Sequence, residues 1–142
     1  MKSKKNIAIV GIGRWGKNLL REFAKVAKVE FCFHKDNPET QKWLTANYLH
    51  IKTADSYHEL LANPAIDAVV IATPIKTHYE LTKKALLAGK HVFIEKPITN
   101  NVKQAQELVK LAAKKKRILF VGHIFSYHPI LAKIQRLIAV EP

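Results

Sequence analysis

Three sets of residues in this chain have the types and spacing to do chemistry. The first is Gly11-Ile12-Gly13-Arg14-Trp15-Gly16, a G-x-G-x-x-G run. Such a run is weak evidence alone and acquires a mechanism when it joins a strand to a helix. Gly11 then permits a tight turn, Gly13 lets backbone approach a pyrophosphate, and Gly16 lets helix pack closely on strand. The helix that follows aims its free N–H groups and positive dipole end at the phosphates. The second set is His34-Lys35-Asp36-Asn37, at the point where an acid ordinarily accepts the hydroxyls of an adenosine ribose. The third comprises Ala72-Thr73-Pro74 with Thr77 and His78, then Glu95-Lys96-Pro97, then Gly122-His123. Each falls at the end of an apolar segment, a placement that packing does not require.

Rigid elements must hold these groups, and the sequence supplies an alternating series of them. Strands are predicted over Asn6–Val10, Val29–His34, His50–Thr53, Ala68–Thr73, His91–Glu95 and Ile118–Gly122. Helical periodicity falls between them, over Trp15–Val26, Glu39–Asn47, Tyr57–Ala62, His78–Ala88 and Val102–Lys116. Asn101 with Gln104 three residues on has the form of a capping box, and Gly89 stands where a glycine ends the fourth helix. Strands such as Ala68-Val69-Val70-Ile71-Ala72 are apolar throughout, as strands buried on both faces are. Alternation with helices then implies right-handed crossovers, and an α/β fold built on a doubly wound parallel (Rossmann) sheet in a single domain. In such a sheet ligands collect outside the carboxyl ends of the strands, where all three sets lie. After Gly122 the pattern changes: His123–Pro129 is rich in aromatics and histidine, and Ile130–Ala139 reads as one more amphipathic helix.

With 142 residues and 48% apolar content, the chain has the material for one core. No apolar run approaches the ~20 residues of a membrane span. Lys2, Lys4 and Lys5 start the chain as a signal peptide would, but the apolar run behind them stops at Gly11. The single cysteine, Cys32, allows no internal disulfide, and no His, Cys or acidic cluster has metal-ligand spacing. The chain is therefore expected to be soluble and cytoplasmic. Lys and Arg number 24 against 11 Asp and Glu, a formal +13, which favours anionic partners. The densest basic run, Lys114-Lys115-Lys116-Arg117, ends a helix, where cations complement the dipole and face water. Aromatics are not interleaved with basic residues along the chain, so the balance reads as a solvated basic surface rather than a nucleic-acid site.

Read together, the motifs resemble the N-terminal half of the Gfo/Idh/MocA oxidoreductases. The matching residues are Gly11 through Asn18, Ile71-Ala72-Thr73-Pro74 with Thr77-His78, Ala88-Gly89-Lys90-His91-Val92, Glu95-Lys96-Pro97, and Val121-Gly122-His123 with Tyr127-His128-Pro129. They span essentially the whole chain in the expected order. The resemblance implies that Gly11, Ile12, Gly13, Arg14, Trp15 and Gly16 hold the pyrophosphate of NAD or NADP. Thr73, Pro74 and His78 would line the nicotinamide side, and Glu95 would meet the nicotinamide ribose. Lys96 would be the catalytic lysine, its ammonium set against the oxygen that undergoes hydride transfer. Pro97, after a cis peptide, would aim it. His123, Tyr127 and His128 would serve a sugar-like substrate, and most resemble members acting on nucleotide-linked or amino sugars. His50, His58 and His91 fall to structural or surface roles.

Two departures qualify the resemblance. Lys35 stands where an acid usually selects NAD, with Asp36 one residue later; a cation there suits the 2′-phosphate of NADP. The family's second α/β domain, which supplies the rest of the substrate pocket, the remaining catalytic groups and the usual oligomer interface, is absent from these residues. Residues 1–122 are thus expected to form the dinucleotide domain and 123–142 a crossover segment from a truncated chain, inactive alone. A non-catalytic dinucleotide-binding or redox-sensing module is the alternative, and a basic nucleic-acid-binding module the third.

Overall fold

The computed structural model describes residues 4–35 and 37–140. Six strands are present: β1 Asn6–Val10, β2 Lys28–Phe33, β3 Lys52–Thr53, β4 Ala68–Ile71, β5 His91–Ile94 and β6 Leu119–Val121. They form one sheet in the order β3-β2-β1-β4-β5-β6, with every neighbouring pair parallel. The chain leaves β1 toward one edge and restarts at β4 toward the other, which opens a crevice at the carboxyl ends of those two strands.

Helices α1 Arg14–Val26, α2 Pro38–Asn47, α3 Tyr57–Ala62, α4 His78–Leu87, α5 Val102–Lys114 and α6 Pro129–Val140 complete the series. Successive strand residues point to opposite faces, and the core divides accordingly. Ile9 and Val70 join Leu20 of α1 and Leu44 of α2 on one face. Ala8, Val10, Val69 and Ile71 join Leu60 of α3, Leu86 of α4 and Leu108 of α5 on the other. Each large side chain buried this way contributes roughly 1.5–3 kcal/mol. The sheet is therefore covered on both sides, as the unbroken apolar strands required.

Helix ends follow their sequence signals with some differences. Asn37 caps α2 through Oδ1, and Ser56 caps α3 through Oγ. Asn101 accepts from the Gln104 amide at 3.2 Å, but the return contact of a capping box is relayed: the Thr99 hydroxyl accepts from the Asn101 N–H and meets Gln104 Oε1. Gly89 (φ 75°) ends α4 as expected. Helix α5 stops two residues earlier than its periodicity suggested, because Lys116 turns left-handed at φ 53°. The expected third strand shortens to two residues, and one-turn 3-10 segments appear at Ile75–Thr77 and Ile124–Tyr127. Among the described residues no helix is long and apolar enough to cross a membrane.

Candidate functional site

The first turn of the site is dictated by sterics. Gly11 lies at φ 90° and donates its N–H to Phe33 O at 2.8 Å, which ties the end of β1 to the end of β2. A Cβ on Gly11 would come within 2.8 Å of Ala72 O. A Cβ on Gly16 would collide with the Gly11 carbonyl, so the helix can approach the strand end only without one. Gly13 differs from both: nothing lies within 4 Å of its missing side chain. It is the N-cap of α1 and has no side chain to satisfy the helix's first amides, which remain available to an anion.

The other strand ends close in beside this turn. Ala72 and Thr73 follow β4, Glu95 and Lys96 follow β5, and Gly122 follows β6. Together with Trp15, Ile75, His78, Ile124 and Phe125 they line a cleft of about 410 Å³. The Glu95 side chain is only 8% exposed, yet its Oε1 has no hydrogen-bond partner. Its Oε2 accepts the Lys96 N–H at 3.3 Å. A Cβ at Gly122 would stand 3.1 Å from Glu95 Oε1, so the glycine leaves the carboxylate its space. Lys96 is exposed and is followed by a cis peptide to Pro97.

His78 lines the cleft beside Thr73 from a buried position. It is 2% exposed, with Nδ1 2.9 Å from Pro97 O and Nε2 2.8 Å from Thr73 O. The Pro97 contact ties the loop after β5 to the start of α4, and the Thr73 contact closes the connection between β4 and α4. The ring therefore borders the cleft as a tie between its walls. Thr77 reinforces the same wall, its hydroxyl lying 2.7 Å from Thr73 Oγ1 and 2.8 Å from Pro74 O.

The remaining expected site residues scatter. Ile12 buries its side chain in the core and can meet a ligand only through backbone. Arg14 opens away from the cleft, onto the groove between α1 and α2. Lys35 is exposed at the end of β2, its carbonyl accepting from His34 Nδ1 at 2.7 Å. Asp36 lies outside the described residues. Pro74 is exposed beside the cleft, and His123 is exposed at the start of the last 3-10 turn. Tyr127 stacks on Phe120 at 6.3 Å, and His128 Nδ1 accepts from the Ile130 N–H at 3.2 Å, capping α6. Ile124 and Phe125 line the cleft instead, and sequence reasoning missed them; a short turn has no period to show which side chain faces inward.

These residues fit a bound dinucleotide. Empty space at Gly13 beside uncapped amides suits phosphate oxygens, and the orphaned carboxylate oxygen of Glu95 suits a hydroxyl donor such as a ribose carries.

Comparison with known proteins gives the same reading. A family model described as an oxidoreductase family with NAD-binding Rossmann fold matches residues 5–123. The chain is 33% identical over 136 residues to inositol 2-dehydrogenase/D-chiro-inositol 3-dehydrogenase of Lactiplantibacillus plantarum, covering 93% of this chain and 39% of that one. It is 30% identical over 128 residues to UDP-N-acetylglucosamine 3-dehydrogenase of Acidithiobacillus ferrooxidans, covering 90% and 40%. A solved structure of the latter superposes with a TM-score of 0.82 at 29% identity, over 96% of this chain and 42% of that one. The chain thus spans about two-fifths of the length of these relatives.

Proposed function

The chain belongs to the Gfo/Idh/MocA oxidoreductase family through its NAD-binding Rossmann domain, and on that premise we propose that it holds NADP(H), in preference to NAD(H), for hydride exchange with a secondary alcohol of a sugar-like substrate. The observation that carries the reading is the buried, half-partnered carboxylate of Glu95 beside the exposed Lys96, at one end of a cleft that begins at a glycine turn. The nicotinamide cofactor, when bound, supplies the hydride acceptor or donor. Everything else in the proposal is work for this chain's own residues. The α1 amides at Gly13 and beyond bind the pyrophosphate. Glu95 takes a ribose hydroxyl on its open oxygen. Trp15, Ile75, Ile124 and Phe125 keep the cleft apolar, which strengthens the charge interactions inside it. Lys96 stabilises negative charge developing on the substrate oxygen. His78 holds Thr73 and Pro97 in register, and so fixes the spacing between the cofactor wall and the lysine.

Substrate class rests on the relatives, whose names include an inositol and a nucleotide-sugar dehydrogenase. In this proposal residues 1–122 form the dinucleotide domain and 123–142 a crossover segment. The exposed Ile130, Ile134, Leu137 and Ile138 of α6 support that division, because a helix with so many uncovered apolar residues needs another surface.

Cofactor preference supplies the test. If Lys35 faces the adenosine ribose, its ammonium pairs with a 2′-phosphate in a charge-assisted contact, discounted for exposure to about a tenfold gain. Lys35→Asp should then weaken NADP binding about tenfold and leave NAD binding nearly unchanged, in calorimetric titrations at low salt. Equal losses for both cofactors would place Lys35 outside the ribose site and remove the preference. Failure of the parent chain to bind either cofactor would overturn the whole reading.

A further inference from the structure

A second concave surface lies on the far side of α1, and its chemistry differs from that of the cleft. Arg14, Lys17 and Arg21 follow one another along α1 and face Trp43 and Tyr48 of the α2 region across a groove of about 580 Å³. Its walls also carry the carboxamides of Asn18 and Asn47 and, among the described residues, contain no carboxylate. The only acid on α1, Glu22, is held by Lys25 at 2.7 Å and by Arg21 Nε at 3.5 Å. Lys17 Nζ sits 4.7 Å from the centre of the Trp43 ring. Trp43 and Tyr48 lie 5.4 Å apart, with His50 continuing the row at 6.4 Å from Tyr48. Aromatic and basic residues that are separate along the sequence are thus interleaved in space, by the packing of α2 against α1.

We propose that this groove is a binding site for single-stranded nucleic acid, with Arg14, Lys17 and Arg21 on the phosphates and Trp43 and Tyr48 stacking on bases. Arg14 to Arg21 covers about 10 Å of helix axis at the ordinary rise. Three cations over that length, each at the end of a long side chain, can meet about three phosphates of one strand. A row of three cations, of which only Arg21 shares an acid (Glu22), favours a polyanion. The two rings are half-buried against the core, and the parts of them that edge the groove beside the cations favour a strand that offers unpaired bases, since each base has a face to stack. The formal charge of +13 favours approach of any such strand from every direction. The groove shares only Arg14 with the expected pyrophosphate loop, so both ligands have their own walls.

The experiment is fluorescence anisotropy of a labelled twelve-residue oligo-dT, a hairpin duplex of equal charge, and heparin as competitor, each titrated with the whole chain. For three phosphates on a single strand, log K should fall against log salt with a slope of about −2. That is a loss of roughly fifteen- to twentyfold between 50 and 200 mM salt. Lys17→Ala/Arg21→Ala should cut the slope to about −0.7 and leave NADPH affinity within about twofold of the parent. Trp43→Leu should weaken oligo-dT about tenfold with the slope unchanged. Should that variant fail to fold, the charge variant at half-buried Lys17 and exposed Arg21 still decides. Duplex or heparin binding as tight as oligo-dT, or an unchanged slope in the charge variant, would overturn the proposal and leave a basic surface only.

Discussion

Gly13 and Gly16 are three residues apart and carry opposite requirements. Gly13 has open space where a side chain would go and a φ of −78° that any residue adopts. Gly16 has the Gly11 carbonyl there instead. A side chain at 13 meets no neighbour and would fill the proposed phosphate cradle; one at 16 pushes α1 off the sheet. Gly13→Val should therefore stay folded, losing no more than the ~1 kcal/mol of an N-cap change, while losing dinucleotide binding in calorimetry. Gly16→Ala should lose about 1–3 kcal/mol of stability to overpacking. If Gly13→Val still bound cofactor at parental strength, the cradle would lie elsewhere. This difference was half legible in the sequence. The motif holds three glycines with distinct expected roles, but only the neighbours of each show which absence of a side chain the fold requires and which it does not. His78 is the opposite case: its position beyond Thr77 pointed to the cofactor, and its two carbonyl partners come from loops 5 and 19 residues away, a pairing that no spacing reveals.

Elements were more legible than residues, because period and punctuation are written locally. The apolar runs gave all six strands and their order of use, and the 3.6-residue pattern with Asn101 and Gly89 gave the helices and two of their ends. Lost were features without a period: the 3-10 turn at Ile75–Thr77, and the one at Ile124–Tyr127, which sends Phe125 into the cleft and Tyr127 onto Phe120. The end of α5 was lost for another reason. Its last turn closes with Arg117 N–H bonded to Ala112 O and Lys116 N–H to Ala113 O, the pattern that ordinarily has glycine at the left-handed position. Here Lys116 occupies it, and nothing in Lys-Lys-Lys-Arg announces a turn. The arrangement holds because Arg117 Nε reaches the Gly89 carbonyl at the end of α4, so one residue finishes two helices. A left-handed non-glycine costs about 1–2 kcal/mol, of which glycine's extra unfolded freedom returns a part. Lys116→Gly should accordingly stabilise the chain by about 0.5–1 kcal/mol, raising the melting midpoint a few degrees. A lower midpoint would mean that the lysine side chain itself supports the turn.

At the scale of the whole molecule the candidate site residues gather at the carboxyl ends of the strands, and the opposite ends carry a titrating contact that joins two strands. His91 begins β5, and its Nδ1 accepts the Ile118 N–H at 3.0 Å, joining β5 to the start of β6. Burial, with Arg117 and Lys5 nearby, holds its pKa below the ordinary 6.5, and Asp67 opposes them only partly. The folded state therefore binds this proton less readily than the unfolded chain does. The stability it contributes is present above about pH 6.5 and is lost as pH falls toward the folded pKa, where a protonated Nδ1 can no longer accept. Asp67 does not reverse this trend: its pKa is lowered, chiefly by the Asn6 N–H, so its contribution is lost only at lower pH still. A second source of acid sensitivity is general, since any positive charge added at low pH to a chain already at +13 raises its self-repulsion. The two separate experimentally. His91→Asn keeps an acceptor for Ile118 but has nothing to titrate, so its loss of stability between pH 7.5 and pH 5.5 should be smaller than the parent's in denaturant melts at 0.5 M salt. At that ionic strength repulsion between exposed charges is largely screened, whereas a lost hydrogen bond is not. Equal losses in variant and parent would assign the acid sensitivity elsewhere and leave His91 a packing residue whose protonation the fold tolerates.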